Sequence, residues 1–124
     1  MARFLGQEDY AMQVKQEIIK LLTESEWFNS AALVRAENTA ISQIKNRISK
    51  RYDCALVFAP TGETDERDAW IVTITIDLAL YHLYSKSSAK DVPQHRQDRY
   101  QDAIDWLKDV GNGETTADLP TKID

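Results

Sequence analysis

Apolar residues recur along this chain at intervals of three and four, in blocks separated by polar or proline-bearing stretches. Between Gln7 and Thr23, Tyr10, Met12, Val14, Ile18, Leu21 and Leu22 fall at spacings compatible with one helical face, behind Glu8 and Asp9, whose charge suits a helix N-terminus. The pattern predicts a first helix there. Residues 25–30 break the period and supply Asn29 or Ser30 as a cap for the next helix. From Ala31 onward Leu33, Val34, Ala40, Ile41, Ile44, Ile48 and Tyr52 repeat the helical spacing with Gln43, Lys45, Asn46 and Lys50 between them, predicting an amphipathic second helix.

Between Asp53 and Asp68 the pattern changes. The short apolar run Cys54 to Phe58 leads into Pro60-Thr61-Gly62 and a series of acidic and polar residues, which together read as an irregular arm. Asp68 to Lys86 is ambiguous by period alone: Val72 to Ile76 alternates as a half-buried strand does, whereas the stretch from Trp70 to Tyr84 is apolar on nearly every side. Its length exceeds that of an ordinary strand and Leu78 to Tyr84 alternates poorly, so a buried central helix is predicted. After a polar stretch from Ser85 to Asp91, Asp91 and Pro93 form a helix-start pattern. The last helix carries Tyr100, Ala103, Ile104, Leu107 and Val110 on one face and is expected to end where Gly111 adopts the left-handed conformation.

The expected fold is therefore all-α: an antiparallel bundle of about four helices over residues 1–113, with the arm between helices two and three and a flexible tail over residues 114–124. The tail has too little apolar content to offset its own ordering. One contiguous core should join the last three helices through Ile44, Ile48, Trp70, Ile74, Leu78, Tyr81, Tyr100, Ile104 and Leu107. No run approaches the roughly 18 apolar residues of a membrane helix. The opening lacks a basic stretch followed by an apolar one, so the chain is expected to stay where it is made.

The 124 residues are 43% hydrophobic and 28% charged, with a formal net charge of −5. That charge works against a surface that holds phosphate backbones, and the nearest basic group, Lys45, Arg47, Lys50 and Arg51, spreads around more than one face of its helix. Glu63, Asp65 and Glu66 lack the ordered ligand alternation of a calcium loop and read as a solvated acidic segment. His82, His95 and the single cysteine, Cys54, form no legible catalytic arrangement, and no catalytic, cofactor-binding or metal-binding residue is assigned. Asp77 stands out as a carboxylate in the middle of the most apolar helix. A structural ion pair is the economical explanation, with Arg99 and Arg51 the expected partners and Arg96 a further candidate.

Asp77-Leu78-Ala79-Leu80-Tyr81-His82-Leu83-Tyr84-Ser85, then Val92-Pro93, Asp98-Arg99-Tyr100 and Ala103 to Val110, resemble in wording and order the small head–tail connector proteins of Mu-like phages and prophages. Gln7 to Tyr10, Ile48 to Asp53 and Asp118-Leu119-Pro120 extend the resemblance over nearly the whole chain. It implies a non-enzymatic helical adaptor, made in the bacterial cytoplasm and incorporated in the virion. There it would form a homo-oligomeric ring between the portal and the tail-completion proteins, with DNA passing through without sequence-specific binding. An isolated copy could be monomeric. On this reading the arm and tail carry the assembly contacts through Leu56, Val57, Phe58, Leu119 and Pro120. A helical protein-binding or regulatory module is the alternative, and it would show a groove lined by exposed apolar side chains. A small enzyme would need convergent polar groups in a pocket.

Overall fold

The structure is a computed structural model that describes residues 3–11, 14–23, 26–60, 62, 64–87 and 92–122, with side chains of 86 and 87 excepted. Met12, Ser25, Thr61, Glu63 and Asp91, which figure in the sequence pattern, lie outside the described residues. The helices are α1 (Gln7–Ala11), α2 (Lys15–Leu21), α3 (Ala31–Ile48), α4 (Cys54–Val57), α5 (Ala69–Ser87) and α6 (Gln94–Gly111), with a 3₁₀ turn at Trp27–Asn29. No strand occurs among the described residues, so the fold is all-α. The predicted first helix is present as two short pieces, with Val14 at a non-helical φ of −137° ahead of the second.

α3 starts where the sequence indicates, because the Ser30 hydroxyl accepts from the Leu33 N–H at 3.2 Å and satisfies a donor that the first turn cannot. Its buried face combines Leu33, Ala36, Ala40, Ile44 and Ile48. α5 is buried on nearly all sides, from Ile71 through Leu83, and lies between α3 and α6. A helix suits this position because its backbone bonds close internally, whereas a strand there would need partner strands that the chain does not provide. The Asp68 carboxylate opens α5 by accepting from the Ile71 N–H at 3.0 Å. The β-branched run is accommodated by hydroxyls that turn back on their own helix: Thr73 donates to the Ala69 carbonyl at 3.0 Å and Thr75 to that of Ile71 at 2.6 Å.

The expected core forms without Tyr81, which is half-buried outside the core cluster and stacks on Tyr100 at 3.9 Å, and with two further differences. Ile44, Ile48, Ile74, Leu78 and Leu107 are fully buried, and Tyr100 and Ile104 pack partly buried beside them. Trp70 instead stays 44% exposed at the start of α5, edge-on to Trp106 at 5.9 Å. Part of the core comes from residues the helical pattern does not include: Phe4 and Leu5 are buried ahead of α1, and Phe4 meets Phe58 edge-on at 5.0 Å.

The end of α6 also differs. Gly111 remains helical, and the positive φ of +80° falls at Gly113, where the chain turns. Gly111 is needed for another reason: a Cβ there would stand 2.8 Å from the Arg47 carbonyl oxygen, so α6 can touch the last turns of α3 only without a side chain. Gly111→Ala is therefore expected to cost about 1–3 kcal/mol by forcing the two helices apart. Thermal unfolding would measure it, and an unchanged midpoint would show that the contact yields freely.

Residues 114–124 have little means of ordering on their own, but 114–122 find it on the helical body. The Asp53 N–H donates to the Pro120 carbonyl at 2.9 Å, Lys122 N–H to that of Arg51 at 3.0 Å, and Ala117 N–H to the Tyr52 hydroxyl at 3.1 Å. Tyr52 and Thr121 form an isolated antiparallel bridge, and Ala117 and Leu119 pack against the core.

Candidate functional site

Asp77 is 4% exposed at the middle of α5 and is held by α6. The Arg96 guanidinium donates to its Oδ1 at 2.9 Å and the Arg99 Nε to the same oxygen at 2.7 Å. The expected pairing with Arg99 is present and Arg96 joins it. Arg51 does not: it lies beyond the far end of α3, its guanidinium 5.7 Å from the Tyr52 ring centre. Spacing explains the choice, because Arg96 and Arg99 stand three apart and project from one side of α6, whereas Arg51 follows α3. Arg96 continues to α2, donating to both Glu17 oxygens at 2.9 and 2.8 Å, and the Tyr84 hydroxyl donates to Glu17 at 3.1 Å.

One continuous ionic centre thus ties α2, α5 and α6. Burial raises the Glu17 pKa, but the Arg96 hydrogen bonds and charge and the Tyr84 bond outweigh it, and the net shift is downward. A carboxylate lowered in the folded state is stabilising above its unfolded pKa and loses that contribution as pH falls through its folded one. Acid unfolding of the wild type should accordingly steepen below about pH 4.5, whereas Glu17→Gln flattens the loss. Denaturant titrations across that range would check this; parallel curves for the two proteins would remove Glu17 from the acid response.

A second centre went unseen in the sequence. Glu37, 3% exposed on the buried face of α3, accepts from the Arg3 guanidinium through both oxygens and from the Tyr10 hydroxyl. Burial is the largest influence on Glu37 and leaves its pKa raised, and burial together with the adjacent Glu37 raises that of Tyr10. Its position in register with Leu33, Ala40 and Ile44 was the available signal. Nearby, Arg67 donates to Asp9 at 2.7 Å, to the Phe4 carbonyl at 2.9 Å and to Asp65 at 2.7 Å, and the bonds that its side chain and backbone N–H make to Asp65 hold that carboxyl at a pKa of about 2.

His82 pairs with Gln43 at 2.6 Å, Gln43 donates to the Tyr100 hydroxyl at 3.1 Å, and burial lowers the histidine pKa. Burial pushes the half-buried Cys54 thiol up, away from thiolate character. His95 is an exposed neighbour of Glu17 at 3.6 Å. Among the described residues no group of three or more His, Cys, Asp or Glu is placed to hold a metal ion. Every buried side-chain nitrogen and oxygen among them has a hydrogen-bond partner. These polar centres are internally satisfied.

The arm and tail meet on one surface. Leu56, 58% exposed, and the exposed Pro120 line a depression of ≈320 Å³ together with Val57, Leu119 and the charged Glu66, Arg67, Asp68 and Asp118. Val57 is buried and Phe58 turns toward Phe4, so both contribute to internal packing. Lys45 stands 5.8 Å from the Phe58 ring centre. Of the basic group expected to spread over more than one face, Lys45 does stand apart, whereas Arg47, Lys50 and Arg51 line one cleft of ≈460 Å³, and the docked tail adds Lys122 to it.

Compared with known protein families, residues 6–124 match the family described as Bacteriophage Mu, Gp36. The chain belongs to this phage family. The Gp36 match takes in all six helices, the arm and the tail, so the Asp77 ion-pair centre and both surface depressions fall within the family's unit, whereas Arg3, the partner of Glu37, lies ahead of it. No curated protein and no solved structure matches the chain. No helix among the described residues is long and apolar enough to cross a membrane.

Proposed function

We propose that this chain is a structural adaptor of a tailed phage or prophage particle, a head–tail connector whose copies form a ring that joins portal to tail. The observation that carries the reading is the match to a bacteriophage Mu family over residues 6–124. The physical character of the chain supports it. A ring multiplies each copy's net charge of −5, and an acidic wall repels passing DNA and leaves it free to slide. Buried carboxylates that are already bonded to arginine or tyrosine serve rigidity, which a joint under mechanical stress needs and which catalysis alone would not explain. On this reading the chain is not an enzyme, its location is the virion, and portal and tail-completion proteins meet the surface where arm and tail come together.

Deletion of the gene from an inducible phage tests the proposal. DNA-filled heads without tails, and recovery of the protein in purified wild-type particles, are expected. Normal tailed particles from the deletion would overturn it.

A further inference from the structure

α6 carries Asp98, Asp102, Asp105 and Asp109, whose spacings of four, three and four place them within about 60° of one another around the helix. They lie opposite Ala103, Leu107 and Val110, which enter the core. Local physics disfavours the arrangement: aspartate is a poor helix former, like charges four apart repel, and Asp109 stands at the negative end of the helix dipole. Among the described residues none of the four is within ion-pair distance of a cation; Gln94 and Gln101 donate neutral bonds of 2.9 Å to Asp98 and Asp105. Arg99 feels the charge of Asp102 but bonds Asp77. Trp106 borders this stripe, with the exposed Trp70 beside it.

The basic cleft has the converse character. Arg47, Lys50, Arg51 and Lys122 are all exposed, and no acidic side chain is among its lining residues, in a chain whose overall charge is negative. We propose that this cleft receives the acidic, tryptophan-edged face of α6 from a second copy of the chain. Opposite charges supply the recognition, and the tryptophan pair offers the cations an aromatic face and the contact an apolar anchor. The two surfaces are different, so each copy presents one of each and the contact repeats from copy to copy, as a ring requires. The inference rests on the ring reading and names its subunit contact. DNA is the less favoured occupant, because the rest of the surface repels it and the exposed Trp70, with the partly buried Trp106 beside it, lies next to the acidic face.

Mixing isotopically light and heavy full-length protein at millimolar concentration and low salt, then adding a carbodiimide that joins carboxylates to amines, tests the contact. Isotopically mixed links from Lys50 or Lys122 to Asp98, Asp102 or Asp105 are expected. Their yield should fall about tenfold in Arg47→Glu with Arg51→Glu, which keeps both reacting lysines, and should fall with added salt. Circular dichroism would confirm that this variant is folded, and Asp98→Asn with Asp109→Asn, read on the links to the retained Asp102 and Asp105, gives the same test from the other surface. Mixed links that are absent, or indifferent to these changes, overturn the proposal. A covalent ladder linked at other positions overturns this contact while leaving the ring reading standing. Duplex DNA shielding the cleft lysines, in the absence of mixed links, overturns it in favour of a phosphate site. Absence of the chain from purified particles would remove the adaptor role and leave the mixed links as evidence of self-association alone.

Discussion

Asp77→Ala should lower the stability of the chain by about 2–4 kcal/mol, read as a shift of the urea midpoint at unchanged slope. The cost comes from the partners left behind. Arg96 is nearly as buried as Asp77 and keeps only Glu17, and Arg99 loses the acceptor that holds its charge. An Asp77→Asn variant should lose less, because the amide oxygen still accepts from Arg96. Removing charge from both sides, as Asp77→Ala with Arg96→Met, should recover part of the loss, since the stranded cation is then absent. A loss under about 1 kcal/mol for Asp77→Ala would mean that water reaches Arg96 and that the centre is less enclosed than it looks.

Leu107→Ala should cost a similar or larger amount, about 2–5 kcal/mol. Leu107 is fully buried on α6, in the core cluster shared with α3 and α5, and a methyl group in its place leaves a cavity that three packed helices can close only in part. Trp70→Ala is the contrast. Despite removing more atoms, it should cost less than Leu107→Ala, because the Trp70 ring is 44% exposed. Should the tryptophan variant prove the more damaging, the centre of the core would lie nearer the Trp70–Trp106 pair than burial indicates.

The long helices were legible because their burial is one-sided or complete. α3 and α6 show the three-and-four spacing directly, and α5 could be told from a strand by the length of its apolar run. Asp77 was legible as an ion-pair site for the same reason: a lone charge in such a run needs an answer. Its partners were not singled out in the sequence: the three-residue spacing puts Arg96 and Arg99 on one side of α6, but only the fold brings that side, and not the end of α3 with Arg51, against Asp77. Glu37 was hidden by position, occupying an apolar register on a helix otherwise rich in polar residues, while its partners Arg3 and Tyr10 lie in another block of the chain. The tail was misjudged in isolation because its bonds are backbone contacts to Arg51, Asp53 and Tyr52, which leave no trace in side-chain pattern. The basic cleft escaped for a related reason, Lys122 being far in sequence from Arg47, Lys50 and Arg51.

The docked tail turns at Gly113 and is anchored to α6 where the Glu114 and Thr115 N–H groups donate to the Asp109 carbonyl; beyond that it is tied down by three N–H bonds and two half-buried apolar side chains, Ala117 and Leu119. A segment held so lightly undocks at a far smaller free energy than the helices unfold, and it does so as a local event. Thr121 and Lys122 form one wall of the basic cleft, so each undocking dismantles the cleft, and whatever fills the cleft holds the tail down in return. Occupancy and docking are then reciprocally linked. The amide hydrogens of Asp53 and Lys122 become reporters of that linkage: their exchange with solvent deuterium should slow when the cleft is filled, although no helix has moved.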